Sequence, residues 1–428
     1  MNFSTSHSGR LFALVFSAGA FLTGQANAAG FQLTDFSMTG LGRSYAGAGI
    51  VGDDYSAIAF NPAGMALKGS GAQAGAALIW QHGRVKGSAD KAGAPGGTAS
   101  GKETVSIPVG VPNLFAQYKV SDSVNFGLGI YAPFGLETKY DRDWFGSDLG
   151  VHSALEVIDI APSLSYRINN QWSVGASLIA RYGRVKMTNT SSGAGFSDFD
   201  IDGWGWYGRF GVMYEASENT RFGLSYSTQS TEVEHTLKGD HTFEGMPISP
   251  LNGDWIGGTV TGLPEQWLLS GYHKRGNFGY SASVRYVRWE HFNDFTLTSS
   301  QPLFQYHTSK YNWQNTWTVA LGVDWYYNDV WTFRAGVSFD ESPIRSSALR
   351  TVRIPDNDRY WMSLGFTYKV NENVKIDVGY AHLYLPTYKA GNGYGKTGLG
   401  GGMDPDKMLD VKYDVNAEIL GIQFQYDF

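Results

Sequence analysis

Three short groupings in this 428-residue chain hold residue types able to do chemistry. Asp198, Asp200 and Asp202 alternate before Trp204, as carboxylates gathered around a divalent cation would. Their spacing matches no defined calcium loop, and a solvated strand end is the plainer reading. Gly395-Lys396-Thr397 has the tail of a phosphate-binding loop, but Ala390 stands where the first glycine is required and no helix pattern follows. The basic run Arg181-Tyr182-Gly183-Arg184-Val185-Lys186 offers cations to an anion. Strict alternation from Trp172 turns Arg181 inward and Arg184 outward, unless Gly183 carries a bulge. Its simplest role is a strand-end cation that binds lipopolysaccharide or a loop acid. The nine histidines scatter, and no Ser/His/Asn grouping marks a lipolytic site. Without cysteine, neither a disulfide framework nor a thiolate metal site is available. The reading is therefore not an enzyme: no catalytic residue, no metal and no cofactor are expected.

The elements that position such residues follow from composition and period. Residues 1–28 read as a secretory signal: Arg10 gives the positive start, Leu11–Leu22 the apolar stretch, and Ala26-Asn27-Ala28 the cleavage site. Losing Arg10 takes the net charge from −6 to −7, which argues against a nucleic-acid partner. Aromatics reach 15% while charge is only 17%, an odd balance for a water-exposed surface. No later stretch has the run of apolar residues that a membrane helix needs. An exported, aromatic-rich chain without such a helix crosses a bilayer as a closed β-barrel.

Period-two alternation supports this. Leu420, Ile422, Phe424, Tyr426 and Phe428 share one face; Gly421, Gln423, Gln425 and Asp427 share the other. The pattern returns from Trp331 to Asp340 and from Tyr360 to Lys369. Aromatics at strand ends (Tyr166, Trp172, Tyr214, Phe222, Trp325, Trp331, Tyr368) suit an interfacial girdle. Strands are predicted near 71–80, 106–120, 123–133, 154–168, 171–187, 203–215, 219–233, 263–275, 277–291, 311–326, 330–341, 359–370, 373–386 and 411–428. Six tight Asn/Asp/Gly turns alternate with seven long loops, near 81–105, 134–153, 188–202, 234–262, 292–310, 342–358 and 387–410. The expectation is an all-β fold: a 14-stranded antiparallel transmembrane barrel over 71–428. Residues 29–70, rich in Gly and Ala, lack this period and are the right size to plug so wide a lumen. They contain Asn61-Pro62-Ala63, where Pro62 fixes φ and Asn61 caps or turns the neighbouring backbone.

The sequence resembles the FadL/TodX-type transporters of the outer membrane, which carry long-chain fatty acids and include importers of aromatic hydrocarbons. The resemblance rests on Ala29-Gly30-Phe31-Gln32-Leu33, Gly40-Leu41-Gly42-Arg43 with Tyr45, Asn61-Pro62-Ala63, Leu263-Pro264-Glu265 with Trp267, Ser270-Gly271-Tyr272, Trp331-Thr332-Phe333-Arg334, and Ile354-Pro355-Asp356 with Asp358-Arg359. It covers the whole mature chain. It implies an N-terminal hatch inside the barrel, an interior ligand pocket, and an early strand kinked to open a lateral gap. It further implies ligand contacts at Phe31, Arg184 and Lys186, gating at Asn61, Pro62 and Ala63, and a kink at Tyr131, Pro133, Phe134 and Gly135. A second basic position of the family falls on Tyr306, with Lys310 nearby. The implied function is passive, ligand-gated uptake of long-chain fatty acids, with lateral release into the membrane, by a monomer among outer-membrane lipid and lipopolysaccharide. Import of aromatic hydrocarbons and an outer-membrane lipolytic enzyme are the alternatives.

Overall fold

The computed structural model describes residues 30–428 apart from 92, 192–194, 230–235, 246–249, 251, 261, 302–305 and 392–408, so the signal segment and Gly395-Lys396-Thr397 lie outside the described residues. The strands are β1 (Gly71–Asp90), β2 (Thr98–Lys119), β3 (Val124–Lys139), β4 (His152–Arg167), β5 (Trp172–Ser191), β6 (Gly195–Ser217) and β7 (Thr220–Ser227). There follow β8 (Thr236–Glu244), β9 (Gly253–Val260), β10 (Gln266–Arg275), β11 (Phe278–Val287), β12 (Asp294–Ser299), β13 (Tyr306–Lys310) and β14 (Thr316–Tyr326). The last are β15 (Trp331–Asp340), β16 (Arg359–Lys369), β17 (Val374–Tyr384), β18 (Tyr388–Gly391) and β19 (Leu409–Asp427).

Fourteen of these, β1–β7, β10, β11, β14–β17 and β19, pair antiparallel around a ring that closes when Gly71 of β1 meets Asp427 of β19. Closure gives every strand of the ring two neighbours, except where β2 and β3 part beyond Asn113 and Tyr131. Alternation sorts the side chains. Leu420, Ile422, Phe424 and Tyr426 stand exposed on the outer face, while Gln423 and Gln425 are buried in the lumen. Tyr166, Trp172, Phe222, Trp325 and Tyr368 ring the short-turn end, and Trp80, Trp204, Trp267, Trp317 and Tyr360 ring the other.

The predicted loops prove more structured than their composition suggests. The segment 81–105 is mostly ladder, with β1 and β2 continuing to Asp90 and from Thr98, and 188–202 likewise extends β5 and β6. Their Gly, Lys and Ser residues carry no apolar period, although Val85, Ala89, Val105 and Ile107 are buried. Within 234–262 and 292–310, strands β8, β9, β12 and β13 continue the sheet from β6 on the long-loop side.

Residues 30–67 are almost entirely buried and lie against lumen-facing side chains around the ring. The backbone of Met38 donates to Gln423 Oε1 of β19, that of Tyr55 to Gln73 of β1, and that of Gly47 to Ser283 of β11. Ser44 Oγ lies 2.7 Å from Ser363 Oγ of β16. Arg43 and Arg334 of β15 bind Asp53 and Asp324 of β14 in one buried cluster. Burial pushes the Asp53 carboxyl up, but Arg43 and Arg334 outweigh it and hold it well below the usual carboxylate range. That contribution to stability is present at neutral pH and is lost only in strong acid.

Such close seating requires gaps in the wall. A Cβ on Gly336 would sit 2.2 Å from the carbonyl carbon of Arg43, and one on Gly175 would sit 2.4 Å from that of Pro62. Both contacts are with backbone, which has no rotamer to yield. We predict that Gly175→Val and Gly336→Val loosen residues 30–67 while the barrel still forms. Limited proteolysis should cut this segment in the variants, with heat-modifiable electrophoretic migration preserved. Unchanged protection would show that the seating is not steric.

Candidate functional site

At the long-loop end of this buried segment, Phe31 enters an aromatic cluster. Its ring centroid lies 5.0 Å from Trp289, 5.1 Å from Phe292, 5.4 Å from Trp313 and 6.0 Å from Phe134. Val185, Ile201, Leu263 and Ile354 complete the apolar lining. The indole nitrogens of Trp289 and Trp313 are buried and find no acceptor among the described residues. Gly30 fixes the entrance, its amide donating at 2.9 Å to Asp356 of the loop after β15.

Residues Phe31–Leu33 also repair a break in the wall. Strand β3 pairs with β2 only up to Asn113↔Tyr131, and its register with β4 shifts between Tyr131 and Phe134. Pro133 has no N–H to give, and its carbonyl accepts instead from the Leu33 amide at 2.8 Å. Gly135 N–H donates to the Phe31 carbonyl at 2.9 Å. Phe31–Leu33 therefore takes the edge that β3 presents after leaving β2.

Above Asn113, β2 pairs with β1 alone. Pro108 and Pro112 lie in that unbroken ladder, so their imide nitrogens face the side that β3 has vacated and leave no unmet donor at those two positions. Further up, the Asp141 amide reaches Glu103, and Lys91 Nζ reaches the Trp144 carbonyl. The unpaired stretch Thr104–Pro112 is about 30 Å of strand at ~3.3 Å per residue.

A polar chain runs beneath the break. Arg181 binds Asp159 with both arms, at 2.7 and 2.8 Å, and its guanidinium lies 5.0 Å from the Phe134 ring. Tyr207 donates to the same carboxylate, and Arg209 joins the Tyr207 and Tyr131 hydroxyls and the Ile58 carbonyl. Ile58 leads directly into Asn61. Asn61 Nδ2 donates to the carbonyls of Val212 and Leu224, a cross-strand pair of β6 and β7. Its Oδ1 accepts from the Ala63 amide, capping the 3₁₀ turn Pro62–Leu67, in which Pro62 takes the first position.

The structure thus brings Phe31, Tyr131, Pro133, Phe134 and Gly135 together, with Asn61, Pro62 and Ala63 one polar chain away. It does not bring Arg184 and Lys186 there. Val185 takes the inward position in the cluster, so its neighbours point outward: Arg184 grips Asp200 at 2.7 and 2.9 Å, and Lys186 lies near Asp198 and Asp200. Gly183 introduces no register shift that would turn them inward. Tyr306 and Lys310 fall in β13, but their side chains lie outside the described residues. The sequence reading missed Trp289, Phe292 and Trp313, which stand beyond strand ends where no period exists. The aromatic run after β11 was the available signal.

The outer membrane protein transport protein family (OMPP1/FadL/TodX) matches residues 19–428. The chain belongs to this family. It is 30% identical to the long-chain fatty acid transport protein of Escherichia coli K12, over 88% of this chain and 92% of that one. It is 31% identical to the 47 kDa outer membrane protein of Pasteurella multocida, over 86% and 90%. The crystal structure of a Pseudomonas aeruginosa FadL homologue superposes with a TM-score of 0.82 at 23% identity, covering 94% of this chain and all of that one. The Ralstonia pickettii toluene transporter TbuX gives a TM-score of 0.66 at 20% identity, over 94% and 99%. The FadL/TodX family is one of outer-membrane transport proteins, not enzymes.

Phe31 holds both the cluster and the β3 edge, so removing its ring should free both. Large-to-small core changes of this kind cost about 3–5 kcal/mol. Phe31→Ala should speed hydrogen exchange at the Gly135 and Leu33 amides at least tenfold. Arg184→Ala, breaking a half-exposed ion pair worth about 0–1 kcal/mol, should leave them within a few-fold. Equal effects would contradict this geometry.

Proposed function

We propose that this FadL/TodX-family barrel takes up long-chain fatty acids by passive diffusion, gated by the ligand. Residues 29–70 act as the hatch and 71–428 as the barrel, working as a monomer. One observation carries the reading: Phe31 packs into the aromatic cluster, and Phe31–Leu33 also closes the edge of β3 where the wall parts. A ligand that displaces Phe31 from the cluster thereby withdraws the strand that seals the gap. Curated relatives named long-chain fatty acid transport proteins support the substrate class.

The route suits the solute. Each methylene returned to water costs roughly 0.8 kcal/mol, so a chain of about sixteen forfeits ~13 kcal/mol if released into the periplasm. Sideways exit between β2 and β3 keeps the tail in apolar surroundings throughout. No energy source is required, since the bilayer itself is the sink.

The aromatic lining also favours ring hydrocarbons, and a structural neighbour is a toluene transporter. Uptake of radiolabelled oleate and toluene, in cells that lack their own importers, separates the two readings. Oleate should enter and toluene should lag well behind; the reverse order would reassign the substrate. In the same assay Asn61→Ala, which removes the tie from this turn to the Val212 and Leu224 carbonyls, should cut oleate uptake several-fold with normal amounts of inserted barrel. Pro62→Ala should act in the same direction. A variant that fails to insert would show that this turn serves assembly instead.

A further inference from the structure

The lumen is layered. Along β11 the inward face reads Ser281, Ser283, Arg285, Val287, and the chain then turns into Trp289. Ser283 meets the hatch at the Gly47 amide, while Val287 and Trp289 belong to the aromatic cluster. Arg285 stands between, two residues and about 6–7 Å of strand from each layer.

At that level a cavity separates the hatch from the wall, lined by Gln32, Tyr45, Leu268, Arg285, Asp340 and Trp361 among others. It offers about 30 Å³ to the centres of water-sized molecules, more room than a single water needs. Gln32 roofs it, next to Phe31, and is tied across to Gln266 at 2.7 Å.

Arg285 is only 9% exposed, yet its guanidinium donates no hydrogen bond and has no carboxylate within ion-pair distance among the described residues. The acid across the cavity is committed elsewhere: Asp340 accepts from Thr318 at 2.6 Å and is bound by Arg359 at 3.3 Å. This contrasts with Arg43, Arg181, Arg334 and Arg359, each of which holds a lumen acid. A buried guanidinium with no acceptor is costly, and it is aimed into a space of the right size for one. The indole donors of Trp289 and Trp313, in the layer above, also lack an acceptor among the described residues.

We propose that Arg285 recognises the carboxylate of the transported ligand. The headgroup descends past Phe31 into the cavity, and the alkyl chain stays in the aromatic layer above. This assignment rests on the uptake reading and sharpens it, because it makes the pocket selective for an acid over a neutral compound of equal length. Arg285 then acts as a specificity residue. The family resemblance had directed attention to the basic pair Arg184 and Lys186, which face away from the pocket.

The test uses the full-length protein in nonionic detergent, with tryptophan fluorescence as the readout. Binding of oleate and of oleyl alcohol is compared at pH 8 for wild type, Arg285→Gln and Arg285→Lys. Wild type should prefer oleate at least tenfold. Arg285→Gln should lose that preference, with oleyl alcohol affinity changed less than twofold, and Arg285→Lys should keep most of it. Urea unfolding of ligand-free Arg285→Gln should match or exceed wild type, since an uncompensated buried charge has been removed. Oleate binding unaltered in Arg285→Gln would overturn the assignment alone, as would a marked loss of its stability. Failure of wild type to bind either ligand would overturn the uptake reading, and this inference with it.

Discussion

A strand that leaves its neighbour inside a membrane must find another partner for its backbone. Here β3 leaves β2 at Tyr131, and Phe31–Leu33 becomes that partner through the Pro133 carbonyl and the Gly135 amide. The aromatic cluster, the parting of β3 from β2 and the upper end of the buried segment all meet at this short pairing. It sets Phe31 among Trp289, Phe292 and Trp313, and it spares β3 an open edge. A bond pair this small is also cheap to exchange, at about 0.5–1.5 kcal/mol net per hydrogen bond. In the proposed gating, burial of the ligand must also replace the packing that Phe31 gives up.

The rest of the buried segment 30–67 is tied down differently. Its body is tied to β1, β11, β16 and β19 by side-chain bonds, and its backbone sits against wall glycines. The Arg43–Asp53–Asp324–Arg334 cluster adds register more than net stability, because desolvation consumes most of what paired charges return. One end of the segment is thus held by aromatic packing and two backbone bonds, and the other by buried ion pairs and side-chain bonds. The chain Arg181–Asp159–Tyr207–Arg209 spans between them, from the Phe134 ring to the Ile58 carbonyl.

Much of the barrel was legible because two-residue periodicity is written directly in the side chains, as in Leu420–Phe428, and because Asn/Asp/Gly turns separate the runs. The strand extensions near 81–105 were not, since Gly83, Lys86 and Gly87 pair through backbone alone. Pro133 and Gly135 announced a break, but not that Phe31–Leu33 would occupy it, which only long-range proximity reveals. At the site, alternation was the better guide: it put Arg181 inside and Arg184 outside, where resemblance had favoured Arg184. Arg285 looked like any other lumen polar residue. What distinguishes it is the lack of a hydrogen-bond or ion-pair partner among the described residues, a property of space and not of sequence.

The central claim is that the ligand exchanges with Phe31–Leu33 while the body of the hatch stays seated. Ser44 and Ser363 are close enough to be replaced by a disulfide, and the chain has no other cysteine to confuse the result. Oleate uptake through Ser44→Cys/Ser363→Cys should be the same within about twofold whether the bond is oxidised or reduced. Uptake abolished by oxidation and restored by reduction would contradict the account, because it would mean that the whole hatch must leave for the ligand to pass.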